Sequence, residues 1–232
     1  MRSRRFLCVI VAAIVILVAL PVASQTTRRE MIVTSDWLTS RLDGKVVVID
    51  VADKEEYEQG HIPDARLLEK KKLLVDLAGV PNEVPPVADF ETLMTALGIG
   101  DEKRVVFYSR DPLLATRAWF TLDSMGHGTR ASVLNGGYAR WVADGKETTT
   151  VVPAFDPAPF HATENQAAIT TIKVMRTLIQ SRAVLGNSLA VIDARPPASY
   201  RGELAGAGVR RPGHIPGAIN VYWQENLTGP GN

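Results

Sequence analysis

Carboxylates and imidazoles recur in this chain at matched places. Asp50 closes the apolar run Val47-Val48-Ile49-Asp50, and His61 follows in Gly60-His61-Ile62-Pro63-Asp64-Ala65. Asp193 closes Ala190-Val191-Ile192-Asp193, and His214 follows in Gly213-His214-Ile215-Pro216-Gly217-Ala218. A carboxylate at a strand end near an imidazole could do general acid–base work, because histidine titrates near neutral pH. The simpler roles are the expected ones. Each aspartate is expected to pair with the basic residue that follows it, as Asp193 could with Arg195. Nucleophiles are scarce: the 232 residues contain one cysteine, Cys8. A single thiol excludes an intramolecular disulfide and Cys-rich zinc or iron–sulfur sites. No metal cluster, Gly-rich phosphate loop or Ser-His-Asp spacing stands out, and His127 and His161 have no obvious partner.

The repeated motifs imply two related units in tandem. The first pair of landmarks is offset by 143 residues and the second by 153, so the second copy carries ten extra residues, about 201–211. The boundaries expected are a first domain over 31–148, a linker over 149–169 and a partial second copy over 170–232. Pro153, Pro157 and Pro159 crowd the join, where no apolar period survives. Within the first copy, residues 45–51 read as a buried strand with Asp50 near its carboxyl end. Residues 90–97 and 112–125 read as helices, 104–108 and 131–134 as further strands. Residues 219–223 read as the second strand of the second copy. Continuous apolar strands alternating with helices predict an α/β fold, an open parallel sheet flanked by helices. In such sheets ligands bind at the carboxyl ends of strands, which points to the segment after Tyr108.

The amino terminus reads as an export signal. Arg2, Arg4 and Arg5 precede an uncharged run over 6–20, then Pro21 and the small residues Ala23 and Ser24. This is the plan of a signal peptide over 1–24. The run is short for a membrane span of about 20 residues, so membrane contact would come only through an uncleaved leader. Cleavage would remove Cys8 and leave 23 basic against 25 acidic side chains. A thiol-free chain suits a periplasmic or extracellular setting. With 46% hydrophobic and 22% charged residues the composition is globular, and a formal charge of +1 gives no case for a nucleic-acid partner.

These residues resemble a known family. Tyr57-x3-His61-Ile62-Pro63-x-Ala65 is close to the aromatic-x3-His-aliphatic-Pro-Gly-Ala pattern of tandem rhodaneses, two-domain thiosulfate or 3-mercaptopyruvate sulfurtransferases, with Asp64 where Gly is usual. Val133-Leu134-Asn135-Gly136-Gly137-Tyr138-x2-Trp141 resembles the segment that closes an N-terminal rhodanese domain. Val191-Ile192-Asp193-Ala194-Arg195 and the Gly213 to Asn220 segment match the second domain. The resemblance implies that His61 and His214 each belong to a structural turn before a second strand, and that the chemistry runs through a cysteine persulfide. The cysteine takes sulfane sulfur from a small donor anion and passes it to cyanide or a thiol, with no cofactor.

Laid on residues 105–126, the family's strand–Cys–loop–helix pattern puts Ser109 at the cysteine position. A hydroxyl cannot hold a stable sulfane sulfur, so the first domain is expected to be non-catalytic. Asp111 and Pro112 read as the cap and first residue of the following helix. The second copy stops short of its own Cys loop by roughly a few dozen residues, and a truncated chain is expected. Some members carry a substrate-binding Arg before the aromatic of this segment; here Ser199 precedes Tyr200. Arg195 and Arg201 are the substrate-binding candidates that remain, with Arg210 and Arg211 behind them. A phosphatase of the related Cys-loop-Arg type would need an Arg where Leu114 stands. A non-catalytic rhodanese-like module of the cell envelope is the alternative of a different class. Trp37, Trp119 and Trp141 are expected in the core, and Lys70 to Lys72 on a solvated face.

Overall fold

The computed structural model describes residues 30–44, 46–181, 189–206 and 208–229. The leader expected over 1–24, with Cys8, lies outside the described residues. The central sheet is parallel, with strands β1 (Ile32–Val33), β2 (Val46–Ala52), β3 (Arg66–Glu69), β6 (Arg104–Tyr108) and β7 (Ala131–Leu134) in the order β1-β7-β6-β2-β3. A small antiparallel hairpin, β4 (Val75–Leu77) and β5 (Val80–Glu83), stands apart.

All seven residues of β2 are buried, as the near-continuous apolar run requires of a strand covered on both faces. Alternation then sorts the side chains into two layers. After the short helices α1 (Ser35–Thr39), α2 (Lys54–Glu58) and α3 (Lys70–Leu73), the chain forms the longer α4 (Val87–Ala96) and α5 (Pro112–Ser124), under which Val47, Ile49 and Val51 join Val105 and Phe107. Val46 and Val48 join Val106, Tyr108, Leu38 and Trp141 on the opposite face, beside α6 (Gly137–Ala143). Asp50 is in register with Val46 and Val48, so its carboxylate is committed to that second layer. Trp141 is buried as expected, whereas Trp37 and Trp119 only pack against the core from its edge.

The strand order reverses between β2 and β6, since the chain goes from β2 outward to β3 and then crosses back. The carboxyl ends of these two strands form the crevice where open sheets place ligands.

The second half repeats part of this plan. β8 (Ile192–Asp193) pairs in parallel with β9 (Ile219–Asn220), Ile192 opposite Ile219. The first half pairs Ile49 opposite Arg66, the equivalent positions at offsets 143 and 153. The strand expected over 219–223 is shorter than that. The Asn220 amide donates to the Asp193 and Arg195 carbonyls at 2.8 Å, and a 3-10 turn follows over Trp223–Asn226.

The stretch expected as a linker, 149–169, is not free. Phe160 is buried against Phe90, and Ala158, Thr163 and Asn165 donate backbone bonds to Thr95, Met125 and Ser124 at 2.8–3.1 Å. It crosses Gly126, whose φ of +87° and lack of Cβ leave room for the Thr163 carbonyl.

Candidate functional site

The crevice is built from the residues that end β2 and β6. Ser109 follows β6 directly and is buried. Its hydroxyl donates to the Val51 carbonyl at 2.7 Å and accepts from the Asp111 N–H at 3.1 Å. The hydroxyl is thereby bonded both to β2 and within its own loop. Asp111 caps α5 as expected, its carboxylate accepting from the Leu113 N–H at 2.9 Å, with Pro112 in the first turn. That carboxylate occupies the helix terminus an anion would otherwise use.

Behind the loop, the Asn135-Gly136-Gly137 turn presses on it. A Cβ at Gly137 would stand 2.3 Å from the Ser109 carbonyl oxygen, and the Tyr138 N–H donates to that carbonyl at 3.1 Å. The loop between β6 and α5 is therefore short and held from both sides.

Arg110 turns inward. Its guanidinium donates to the Gly60 carbonyl at 2.7 Å, lies 4.1 Å from the centre of the Tyr138 ring, and approaches the Asp50 carboxylate to 3.9 Å. Asp50 is fully buried, and neither of its oxygens has a hydrogen bond of good geometry. The Tyr108 hydroxyl, which accepts from the Ile62 N–H at 3.0 Å, faces it and lowers the cost of its charge, as does Arg110. Burial outweighs both and raises the Asp50 carboxyl to about 6. The expectation that Asp50 pairs with a basic residue just after it is corrected: its cation comes from the next loop of the sheet, because the chain offers Ala52 where Asp193 has Arg195.

A pH dependence follows from Asp50. A raised carboxyl binds its proton more readily in the folded chain than in the unfolded one. Its contribution is full below about pH 4 and is lost as pH rises through about 6. The difference of about two pKa units is worth ~3 kcal/mol. Asp50→Asn should remove this slope. Thermal midpoints of the two proteins, compared from pH 4 to pH 7, should diverge within that window and run parallel above it.

The histidines hold turns. His61 is buried, stacked on Tyr57 at 3.8 Å, its Nδ1 paired with the Tyr57 carbonyl and its Nε2 with the Val151 carbonyl. His214 stacks on Tyr200 at 3.8 Å and pairs with the Tyr200 carbonyl at 2.8 Å. The tyrosine hydroxyls close the turns on the Ala65 and Ala218 carbonyls. His127 and His161, read from sequence as partnerless, both have partners. His161 pairs with Asp101 at 2.8 Å, and His127 pairs with the His161 carbonyl.

The arginine candidates for substrate are engaged elsewhere. Arg195 makes a two-pronged pair with Asp193 and donates to the Gly213 carbonyl. Arg201 pairs with Glu203 at 2.6 Å. Neither is brought to the crevice beside Ser109. The cleft of about 540 Å³ that borders Ser109 is walled by Ile32, Leu113, Phe120 and Leu227, and the Arg117 guanidinium on it donates to the Asn82 carbonyl. Lys70, Lys71 and Lys72 pair with Asp53 and Glu69 on an exposed face.

Comparison with known proteins places this geometry. A rhodanese-like domain model matches residues 34–144. The 3-mercaptopyruvate sulfurtransferase of Escherichia coli is 32% identical over 207 residues, 83% of this chain and 71% of that protein. A sulfur carrier protein of Thermus thermophilus is 32% identical over 213 residues, 87% of this chain and 73% of that protein. The chain belongs to the rhodanese family. Its relatives include 3-mercaptopyruvate and thiosulfate sulfurtransferases, and the rhodanese fold accounts for the sheet order and the crevice at β2 and β6. The crystal structure of SseA, a 3-mercaptopyruvate sulfotransferase of Escherichia coli, superposes with a TM-score of 0.72 at 30% identity, over 85% of this chain and 77% of that one.

Sequence reasoning missed Arg110. The one signal for it was the absence of a basic residue after Asp50, which left a buried carboxylate in need of a cation.

Proposed function

We propose that this protein serves rhodanese-type sulfur transfer with a first domain, residues 31–148, that carries structure and no nucleophile. In that chemistry a cysteine thiolate takes the outer, sulfane sulfur of thiosulfate and releases sulfite, or takes the thiol sulfur of mercaptopyruvate, the C–S electron pair staying on carbon, which gains a proton to give pyruvate. The resulting persulfide gives the sulfur to cyanide or a thiol, and the thiolate returns. Ser109 stands where that cysteine belongs. The observation that carries the reading is the state of Ser109: its hydroxyl is bonded to Val51 and to the Asp111 amide, beside a carboxylate that already caps α5. In this reading the reactive thiol of the family belongs to the second rhodanese-like unit, the unit of the β8–β9 pair, Asp193 and the His214 turn. Arg195 and Arg201 are the substrate-side arginines of that unit in this reading. Export of the mature protein is proposed on the Arg2, Arg4 and Arg5 cluster with the uncharged run over 6–20.

The same closed loop favours a second reading, a rhodanese-like module that works by contact in the cell envelope. A thiosulfate:cyanide assay on the purified 232-residue protein tests the shared claim. Thiocyanate should form at the rate of the uncatalysed control. Turnover above that control would overturn both readings of the first domain.

A further inference from the structure

The two motifs clamp their aspartates with arginines from different places. In the second motif Arg195, two residues beyond Asp193, pairs with that carboxylate at 2.6 Å and donates to the Gly213 carbonyl at 2.7 Å. In the first motif the residue two beyond Asp50 is Ala52. There Arg110 approaches the Asp50 carboxylate to 3.9 Å and donates to the Gly60 carbonyl at 2.7 Å. Gly60 and Gly213 are equivalent, each opening its Gly-His-Ile-Pro turn. In both motifs a guanidinium donates to the same carbonyl and faces the same carboxylate, hydrogen-bonded to Asp193 but only at ion-pair distance from Asp50, reached once from just beyond the strand and once from the loop after β6.

We propose that Arg110 is the transposed counterpart of Arg195, a positioning residue that clamps Asp50 to the Gly60 turn and thereby draws the β6–α5 loop shut over Ser109. A strand places Ala52 and Asp50 on the same face, so an arginine at 52 would project toward the space the Arg110 guanidinium now fills. Arg110 cannot serve both as this clamp and as an outward-facing anion ligand. Its guanidinium also lies over the Tyr138 ring, 4.1 Å from the centroid. The clamp stands on geometry alone; only its consequence for the loop rests on the non-catalytic reading of the first domain.

The test is a transfer of the arginine in the full chain: Arg110→Ala, Ala52→Arg, and the two together. The readout is the titration of the Asp50 side-chain carboxyl by carbon NMR, with the thermal midpoint beside it. The other titratable groups facing Asp50 are Tyr108 on β6, His61 at the turn, and Tyr57 and Glu56 on the helix Lys54–Glu58 between β2 and that turn, all common to the variants. Arg110→Ala should raise the Asp50 midpoint by about one pH unit or more, the usual effect of losing a cation at this range, and lower the thermal midpoint. Adding Ala52→Arg should bring both back toward the parent values. If Arg110→Ala alone does not fold, a folded double variant is the same rescue. An unchanged Asp50 midpoint in Arg110→Ala overturns the proposal. So does a double variant that fails to fold, or that folds without recovering the midpoint. The outcome is independent of whether thiocyanate forms, so its failure and that of the functional reading are distinguishable.

Discussion

Ser109→Cys, made in a Cys8→Ser background, should leave the protein without thiosulfate:cyanide sulfurtransferase activity. Supplying the missing atom does not supply the site. The new thiol would be buried where the hydroxyl is, with the Val51 carbonyl at 2.7 Å in the parent protein. A carbonyl stabilises the neutral S–H and not the thiolate. The Asp111 carboxylate, bonded to the Leu113 N–H at the start of α5, adds negative charge where a thiolate needs positive potential. Reactive cysteines owe their low pKa to helix N-termini and nearby cations; here the helix terminus is capped and Arg110 is turned toward Asp50 and Gly60. The thiosulfate dianion would meet the same carboxylate and an apolar cleft. Thiocyanate formation at the level of the uncatalysed control is the expected result.

Phe160→Ala should cost about 3–5 kcal/mol, the usual range for a buried phenylalanine. Phe160 is 4% exposed and meets Phe90 edge-on, with ring centres 6.0 Å apart, while His127 tilts against its other side at 4.5 Å. The segment around it is tied down by polar bonds that would fray with it. The His161 N–H donates to Asp101 at 2.7 Å and the Ala162 N–H to Glu91 at 2.8 Å. Chemical denaturation with a tryptophan fluorescence readout measures the loss. A cost below about 1 kcal/mol would contradict a core role for Phe160 against Phe90.

The elements that position the crevice were legible because each carries its own local signal. Strands 104–108 and 131–134 emerge with the boundaries read from sequence, since short apolar runs bounded by Gly, Asp and Lys leave little choice. The Asp111-Pro112 cap was legible for the same reason, being a rule about two adjacent residues. Phe160 was not. Its segment is extended, rich in proline and without period, and its bonds go to Thr95, Met125 and Ser124, which are far away in sequence. Arg110 was hidden by the same distance, 60 residues from the carboxylate it approaches. The repeat was visible as letters. Its depth became clear only when the tyrosine–histidine stack, the hydroxyl-to-alanine bond and the strand register recurred together.

The closed loop over Ser109 is best tested by the pH dependence of alkylation of the thiol introduced by Ser109→Cys in the Cys8→Ser background. The reaction rate with iodoacetamide reports the thiolate fraction. A pKa at or above the ordinary value of about 8.5, with slow alkylation and no persulfide by mass spectrometry after thiosulfate, is the expected result. A pKa near or below about 7, with a persulfide forming on that sulfur, would contradict the account.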